Sequence, residues 1–308
     1  MTNPSAPSGI YSAQWIPTDA NGRVERASLA AHIDFERRAG ISGILALGST
    51  GEFPLFTLDE RMAVLDAVAE LAAPLPVFAN ISDIRPADAI ELGLHAKALR
   101  LPAVALMPPM FYPVSQADLL TYFLHVADVV DLPVMLYNFP ELTGKRIELE
   151  TIAAFAEQSQ MIAFKQSGAE FEYHREVIAL GREKGFVVMS GSDTRLPEVF
   201  ALGAGGAIGG LVNIVPELMV QIDRVNRKGE PGDATAAAAT MQEIGRIIDQ
   251  LTFPLNVAAG LEARGFDPGA PKSVVSAESR TLYQKIVAEL RALFERHDLM
   301  PRQDRRPV

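Results

Sequence analysis

Eight short, almost wholly apolar runs alternate with longer amphipathic stretches across residues 10–220, and this pattern narrows the fold more than any other feature. The runs are IYSAQWI (10–16), GILALGS (43–49), PVFANI (76–81), AVALM (103–107), PVMLYN (133–138), MIAFKQ (161–166), FVVMSG (186–191) and GAIGGL (206–211). Helical spacing fills 24–39, 58–72, 86–99, 115–130, 147–156 and 170–183, and LPEVFALGA (196–204) fits a short further helix. Strands apolar on both faces must be covered on both, and strands separated by helices pair in parallel. Spacing alone does not separate a closed barrel from an open doubly wound sheet. Eight strands, with no Gly-x-Gly-x-x-Gly loop after the first, favour the α/β class as a (β/α)8 TIM barrel.

Beyond Pro216 the strand signal stops. Stretches 216–228, 233–251, 254–264 and 278–296 have helical periodicity, broken by KGEPGD (228–233) and the breaker-rich link GFDPGAPKS (265–273). The expected organisation is an N-terminal arm over 1–8, a barrel over 9–230, a C-terminal helical segment over 231–300 and a tail over 301–308. The apolar faces of the helical segment need a partner, either the barrel or a second subunit. A length of 308 residues suits one barrel plus such a segment, since single α/β barrels reach ~250 residues.

Composition excludes several functions. The chain has no cysteine, which removes disulfides, thiolate metal sites and thiol nucleophiles. A formal charge of −10 disfavours nucleic acid, whose binding needs dense positive charge. No charge-free apolar run reaches the ~18 residues of a membrane span, and the start, MTNPSAPSG, lacks the pattern of a signal peptide. A cytoplasmic protein is expected.

Three features carry chemistry. Gly48-Ser49-Thr50-Gly51-Glu52 follows an apolar strand and precedes a helix. Read as a binding loop, its N–H groups and the two hydroxyls converge on an anion; read plainly, it is a βα turn with a helix cap. Lys165 ends the run MIAFK. Burying an ammonium is costly and favours the neutral amine, the form that attacks a ketone to give a Schiff base. The alternative is a lysine that snorkels out or pairs with a carboxylate. Tyr137 ends the preceding run, and adjacent strand ends lie roughly 5 Å apart, so a shared barrel mouth makes the two neighbours. Tyr137 is then either a proton-transfer group or a rim aromatic.

Together these motifs resemble the dihydrodipicolinate synthase / N-acetylneuraminate lyase family of class I, pyruvate-dependent aldolases. The resemblance spans roughly 9–296 and rests on GSTGE (48–52), YNFP (137–140), FKQS (164–167), SGSD (190–193), GAGGAIGG (203–210), VNIVPE (212–217) and LEARGF (261–266). It implies a homotetramer built from two dimers, and pyruvate or a 2-oxo acid that releases pyruvate, bound as a covalent imine on Lys165 without metal or other cofactor. It further implies Tyr137 as the proton-transfer residue, Ser49, Thr50 and Gly51 around the pyruvyl carboxylate, and Thr50 in a hydroxyl relay. Gly191 and Ile208 would line the substrate site, with Phe139 beside it. Asp193 matches an acidic position that contacts the hydroxylated tail in sialic acid lyases.

Departures from the family pattern sort the subfamilies. The synthases carry an arginine after the YN-x-P turn, where this chain has Leu142, and leucine cannot make arginine's bidentate contact with a carboxylate. They also reach a tyrosine across the dimer interface; the matching stretch is Met110-Phe111-Tyr112, with Phe111 at that position. PVMLYNFPELTG (133–144) is most similar to the 2-keto-3-deoxy sugar-acid aldolases, which release pyruvate and an aldehyde. Sialic acid lyases come next through FKQS and Asp193, although their second acidic residue is Thr194 here. For the substrate tail, Asp193, Thr194, Ser167 and Glu170 offer polar groups, whereas Phe53, Met110, Phe111, Phe139 and Leu142 suggest an apolar pocket. A hydratase-aldolase, a 2-oxo acid dehydratase and a catalytically silent binding protein therefore stay open.

The remaining polar residues carry plainer expectations. His32, His95, His125, His174 and His297 all fall in helical stretches without a His-Glu-x-x-His pattern, and are read as surface or helix-packing residues. Lys272, in the breaker-rich link, is expected to be solvated, and Glu52 to anchor its loop.

Overall fold

A computed structural model describes residues 6–300; the first five residues of the expected arm and the tail over 301–308 lie outside them. Strands β1 (Gly9–Ala13), β2 (Gly43–Ala46), β3 (Val77–Asn80), β4 (Ala103–Leu106), β5 (Val134–Asn138), β6 (Met161–Gln166), β7 (Val187–Ser190) and β8 (Gly206–Gly209) close in chain order into a parallel barrel. Around it run α1 (Arg26–Ala39), α2 (Leu58–Ala72), α3 (Pro86–Ala98), α4 (Gln116–Val130), the single turn α5 (Pro140–Thr143), α6 (Leu149–Gln158), α7 (Tyr173–Lys184) and α8 (Leu196–Leu202). The chain continues through α9 (Pro216–Asn226), α10 (Thr235–Ile248), α11 (Leu255–Ala263) and α12 (Ala277–Arg296).

Side chains alternate across each strand, which gives the barrel two separate apolar layers. Tyr11, Leu45, Phe78, Met135, Met189 and Ile208 fill the interior. Ile10, Ile44, Val104, Leu136 and Phe164 face outward beneath the helices. Local signals set the helix ends. Thr57 and Glu60 form a reciprocal capping box at the start of α2, an arrangement whose cap alone stabilises by ~1 kcal/mol. Gly40 and Gly185 end α1 and α7 with φ of 92° and 82°.

Two expectations change. The first apolar run extends to Ile16, but β1 stops at Ala13; Trp15 and Ile16 are buried by packing at the barrel rim rather than by strand pairing. Lys272 is not solvated: its side chain is 5% exposed. The link after α11 crosses the rim, where the Trp15 indole donates to the Pro268 carbonyl (2.8 Å) and the Ala270 N–H to the Thr18 carbonyl (2.7 Å). Breaker residues in a sequence report an irregular backbone, not exposure. The helical segment finds its apolar partner within the chain: α10 packs on α9 and on the turn after β7, and α12 on α11 and α10.

A buried polar network ties α1 to β1 and to the turn after β8. Ser12 donates to Glu36 (2.5 Å), the Trp15 N–H donates to Asn213 Oδ1 (2.8 Å), and the His32 ring bridges Gln14 and the Asn213 carbonyl. Burial pushes Glu36 from 4.5 up to about 8 and His32 down to about 4, so both are neutral at pH 7. A carboxyl whose value is raised on folding contributes stability that is lost as pH rises through the folded value. Relative to wild type, Glu36→Gln should therefore flatten the fall in Tm between about pH 5 and 8; identical Tm–pH slopes for the two proteins would refute this.

Candidate active site

β5 and β6 pair so that Tyr137 stands opposite Lys165 and Asn138 opposite Gln166. Tyr137 follows the interior residue Met135 by two positions, and Lys165 follows Ala163 by two. Both therefore point inward at the C-terminal mouth, the end where barrels of this kind build their sites. Lys165 is 3% exposed and its Nζ lies 3.9 Å from the centroid of the Tyr137 ring. The lysine does not snorkel to the surface. The Tyr137 hydroxyl lies 3.3 Å from Ser49 Oγ; Thr50, expected in the relay, stands on the cavity wall. The loop holding both is tight, with the Gly51 N–H on the Gly48 carbonyl and the Glu52 N–H on the Ser49 carbonyl (both 3.1 Å). Gly51 lies against β1's extension rather than on the cavity wall: a Cβ there would sit 2.8 Å from the Gln14 carbonyl oxygen.

The mouth opens into a cavity of about 460 Å³, which Lys165, Tyr137, Thr50, Phe139, Gly191, Asp193 and Ile208 all line. Asp193 is 9% exposed. One of its carboxyl oxygens accepts from the Leu211 N–H (2.8 Å), and the other is buried without a partner. Burial pushes this carboxyl up to about 6, against the pull of the Leu211 N–H and of the Lys165 charge. The Asn256 side-chain oxygen is likewise buried and unpartnered, and Asn256 also lines the cavity. Buried acceptors of this kind call for donors.

The far wall differs from expectation. Phe171, Phe253, Val257 and Ile248 join Phe139 there, with Ser167, Ser192, Thr194 and Asp249 as polar members. Phe53 instead lies in the core beneath the Arg61 guanidinium, and Glu170 pairs with Arg146. Met110, Phe111, Tyr112 and Leu142 do not line the cavity. Phe111 and Tyr112 are 81% and 65% exposed and pack edge to face on each other, while Leu142 is 44% exposed. Ile248, Asp249, Phe253, Asn256 and Val257 come from α10, α11 and their connection; none lies in a motif, since LEARGF begins only at Leu261, and the apolar faces of the helical segment were the signal that pointed to them. Arg195 reaches the cavity wall, but it is paired with Glu198 and stacked on Phe171. His174 is buried between Ser190 and the Phe171 carbonyl, and His95 pairs with Asp66, both packing roles. Among the described residues no group of three or more His, Asp or Glu is placed to hold a metal, and no helix is long and apolar enough to cross a membrane.

A Cβ on Gly209 would lie 2.0 Å from Asp193 Oδ1. Gly209→Ala should displace Asp193 and lower unfolding stability by about 1–3 kcal/mol, the usual effect of overpacking. Urea denaturation measures it, and an unchanged midpoint would show that the contact is slack.

Comparison with known proteins places this geometry. A family model described as the Dihydrodipicolinate synthetase family matches residues 6–292. A 4-hydroxy-tetrahydrodipicolinate synthase of Methanococcoides burtonii is 28% identical over 92% of this chain and 99% of its own length. The putative 2-dehydro-3-deoxy-D-gluconate aldolase YagE of Escherichia coli K12 is 32% identical over 77% of this chain and 80% of its own. The crystal structure of YagE in complex with pyruvate superposes with a TM-score of 0.86, covering 95% of this chain and 99% of that one at 28% identity. The chain belongs to the dihydrodipicolinate synthetase family, with the barrel of the class I, Schiff-base aldolases and lyases.

Proposed function

We propose that Lys165 forms an imine with C2 of a 2-oxo acid whose carboxylate rests on the Ser49–Thr50 loop, and that the enzyme cleaves a 2-keto-3-deoxy sugar acid to pyruvate and an aldehyde. The observation that carries the imine is the Lys165 amine, buried and facing a cavity beside the Tyr137 ring. A buried lysine of this kind is a competent nucleophile toward a ketone. The amine adds to C2 and the former carbonyl oxygen leaves as water with the Tyr137 proton, giving an iminium and the Tyr137 phenolate. This phenolate, held by Ser49, takes the proton of the C4 hydroxyl as the C3–C4 bond breaks and the aldehyde departs. The electron pair enters the iminium to form an enamine, which gains a proton at C3 and is hydrolysed to pyruvate and free Lys165. No metal is needed, because the iminium is itself the electron sink.

Asp193 and Asn256 line the cavity and each holds a buried oxygen without a partner; turned toward the cavity, these oxygens suit the hydroxyl donors of a sugar chain. A tail carboxylate needs a cation instead, and the arginine on the wall is already occupied by Glu198. The second reading is synthesis of 4-hydroxy-tetrahydrodipicolinate, which the names of most of the relatives favour. Against it stands Leu142, exposed where the synthases resemble one another in an arginine. The exposed Phe111–Tyr112 pair supports a further part of the proposal, a homotetramer whose copies cover that loop; sedimentation of a monomer would remove it.

Three outcomes test the chemistry. Incubation with pyruvate and borohydride should add the reduced pyruvyl mass to Lys165, and Lys165→Met should abolish it; an unmodified wild-type lysine would overturn the imine. Tyr137→Phe keeps the ring against Lys165 and removes the hydroxyl, so turnover should drop about 10²–10⁴-fold while trapping persists. Pyruvate release from a panel of 2-keto-3-deoxy sugar acids, sialic acid and benzylidene-pyruvates should favour the sugar acids. Condensation of pyruvate with aspartate semialdehyde as the sole activity would establish the synthase instead, and activity confined to the benzylidene adducts a hydratase-aldolase.

A further inference from the structure

Two neighbouring loops of the barrel mouth meet at one buried ammonium. Lys272 Nζ donates to the Ile16 carbonyl, on the stretch after β1, and to Glu52, in the loop after β2, each at 2.8 Å. The side chains of Lys272 and Glu52 are 5% and 10% exposed. The ammonium also lies 4.6 Å from the Trp15 ring centroid and 5.6 Å from that of Phe56. Glu52 adopts a φ of 58°, a left-handed conformation that a residue with a side chain rarely takes unless its surroundings impose it. Its N–H closes the turn onto the Ser49 carbonyl. The backbone bend that presents Ser49 and Thr50 is thus pinned at its far end by Lys272. The lysine is held in turn by the link after α11, itself fastened to Trp15 and Thr18.

We propose that Lys272 is a positioning residue for the carboxylate-binding loop: through Glu52 it holds Ser49 and Thr50 in the geometry that receives the carboxylate of the 2-oxo acid. This rests on the imine reading of the site. Neither Lys272 nor Glu52 lines the cavity, so the effect reaches the substrate through the loop backbone. Breaking a buried ion pair by removing one partner leaves the other charge uncompensated. In Lys272→Met the Glu52 carboxylate therefore turns toward water, and the turn that depends on it relaxes. The Lys165 amine, on the opposite side of the mouth, keeps its own surroundings, so affinity for the carboxylate separates from imine chemistry.

The test is trapping with cyanoborohydride on the full-length protein, read by intact mass, with pyruvate and with acetone, a ketone that lacks the carboxylate. For Lys272→Met the half-saturating pyruvate concentration should rise at least tenfold. The trapped fraction at saturating pyruvate and the trapping by acetone should stay near wild type. Lys272→Arg, which retains the charge, should recover part of the affinity. An unchanged half-saturating pyruvate concentration in folded Lys272→Met, or equal losses with both ketones, would overturn the proposal. Should Lys272→Met not fold, Glu52→Gln removes the pair's negative member without stranding a buried carboxylate; it should shift pyruvate and not acetone, and no shift counts against the idea. Wild-type protein that traps neither ketone would instead sink the imine reading on which the proposal rests.

Discussion

The register between β5 and β6 is the constraint on which the site depends. It sets Tyr137 opposite Lys165 at the mouth of the barrel. Because side chains alternate along a strand, a slip of one residue would turn the residue of the slipped strand outward into the layer beneath the helices and separate the two. That register is held by the interior residues one pleat below, Met135 and Ala163, and by the outward Leu136 and Phe164 packed on the helices. The chemistry of the mouth is thus secured by apolar packing that takes no part in it.

Around this pair many of the buried polar groups are answered by another group of the chain. Asn213 accepts from the Trp15 N–H and Ser12 donates to one oxygen of Glu36 behind β1, while the second Glu36 oxygen stays unpartnered; the Leu211 N–H holds one oxygen of Asp193. Asp193 and Asn256 line the cavity, and each keeps one side-chain oxygen buried without a partner. Gly209 and Gly191 make this crowding possible, since a Cβ at either would strike Asp193 or Ser167.

The helical segment after the barrel is part of the site, not an appendage. α10, α11 and the turn between them supply Ile248, Asp249, Phe253, Asn256 and Val257 to the far wall, and the link beyond them supplies Lys272 to the rim. The loops after β4 and β5, which the sequence pattern suggested for the tail, leave Phe111, Tyr112 and Leu142 in solvent within one chain.

What could be read from the sequence was local. Apolar runs of strand length between amphipathic stretches are enough for a parallel α/β barrel, since each strand must be covered on both faces. Lys165 and Tyr137 were legible because each ends an apolar run, and strand ends share one rim. Serine and threonine in GSTGE were legible because a tight glycine turn after a strand presents its donors together. The tertiary structure alone decided which residues complete the cavity and what becomes of Lys272. Phe253 and Asn256 lie some ninety residues from Lys165 along the chain, and Lys272 meets Glu52 across 220. No local pattern encodes such distant contacts, because they arise where a closed barrel brings its first loops and its last helices to the same rim.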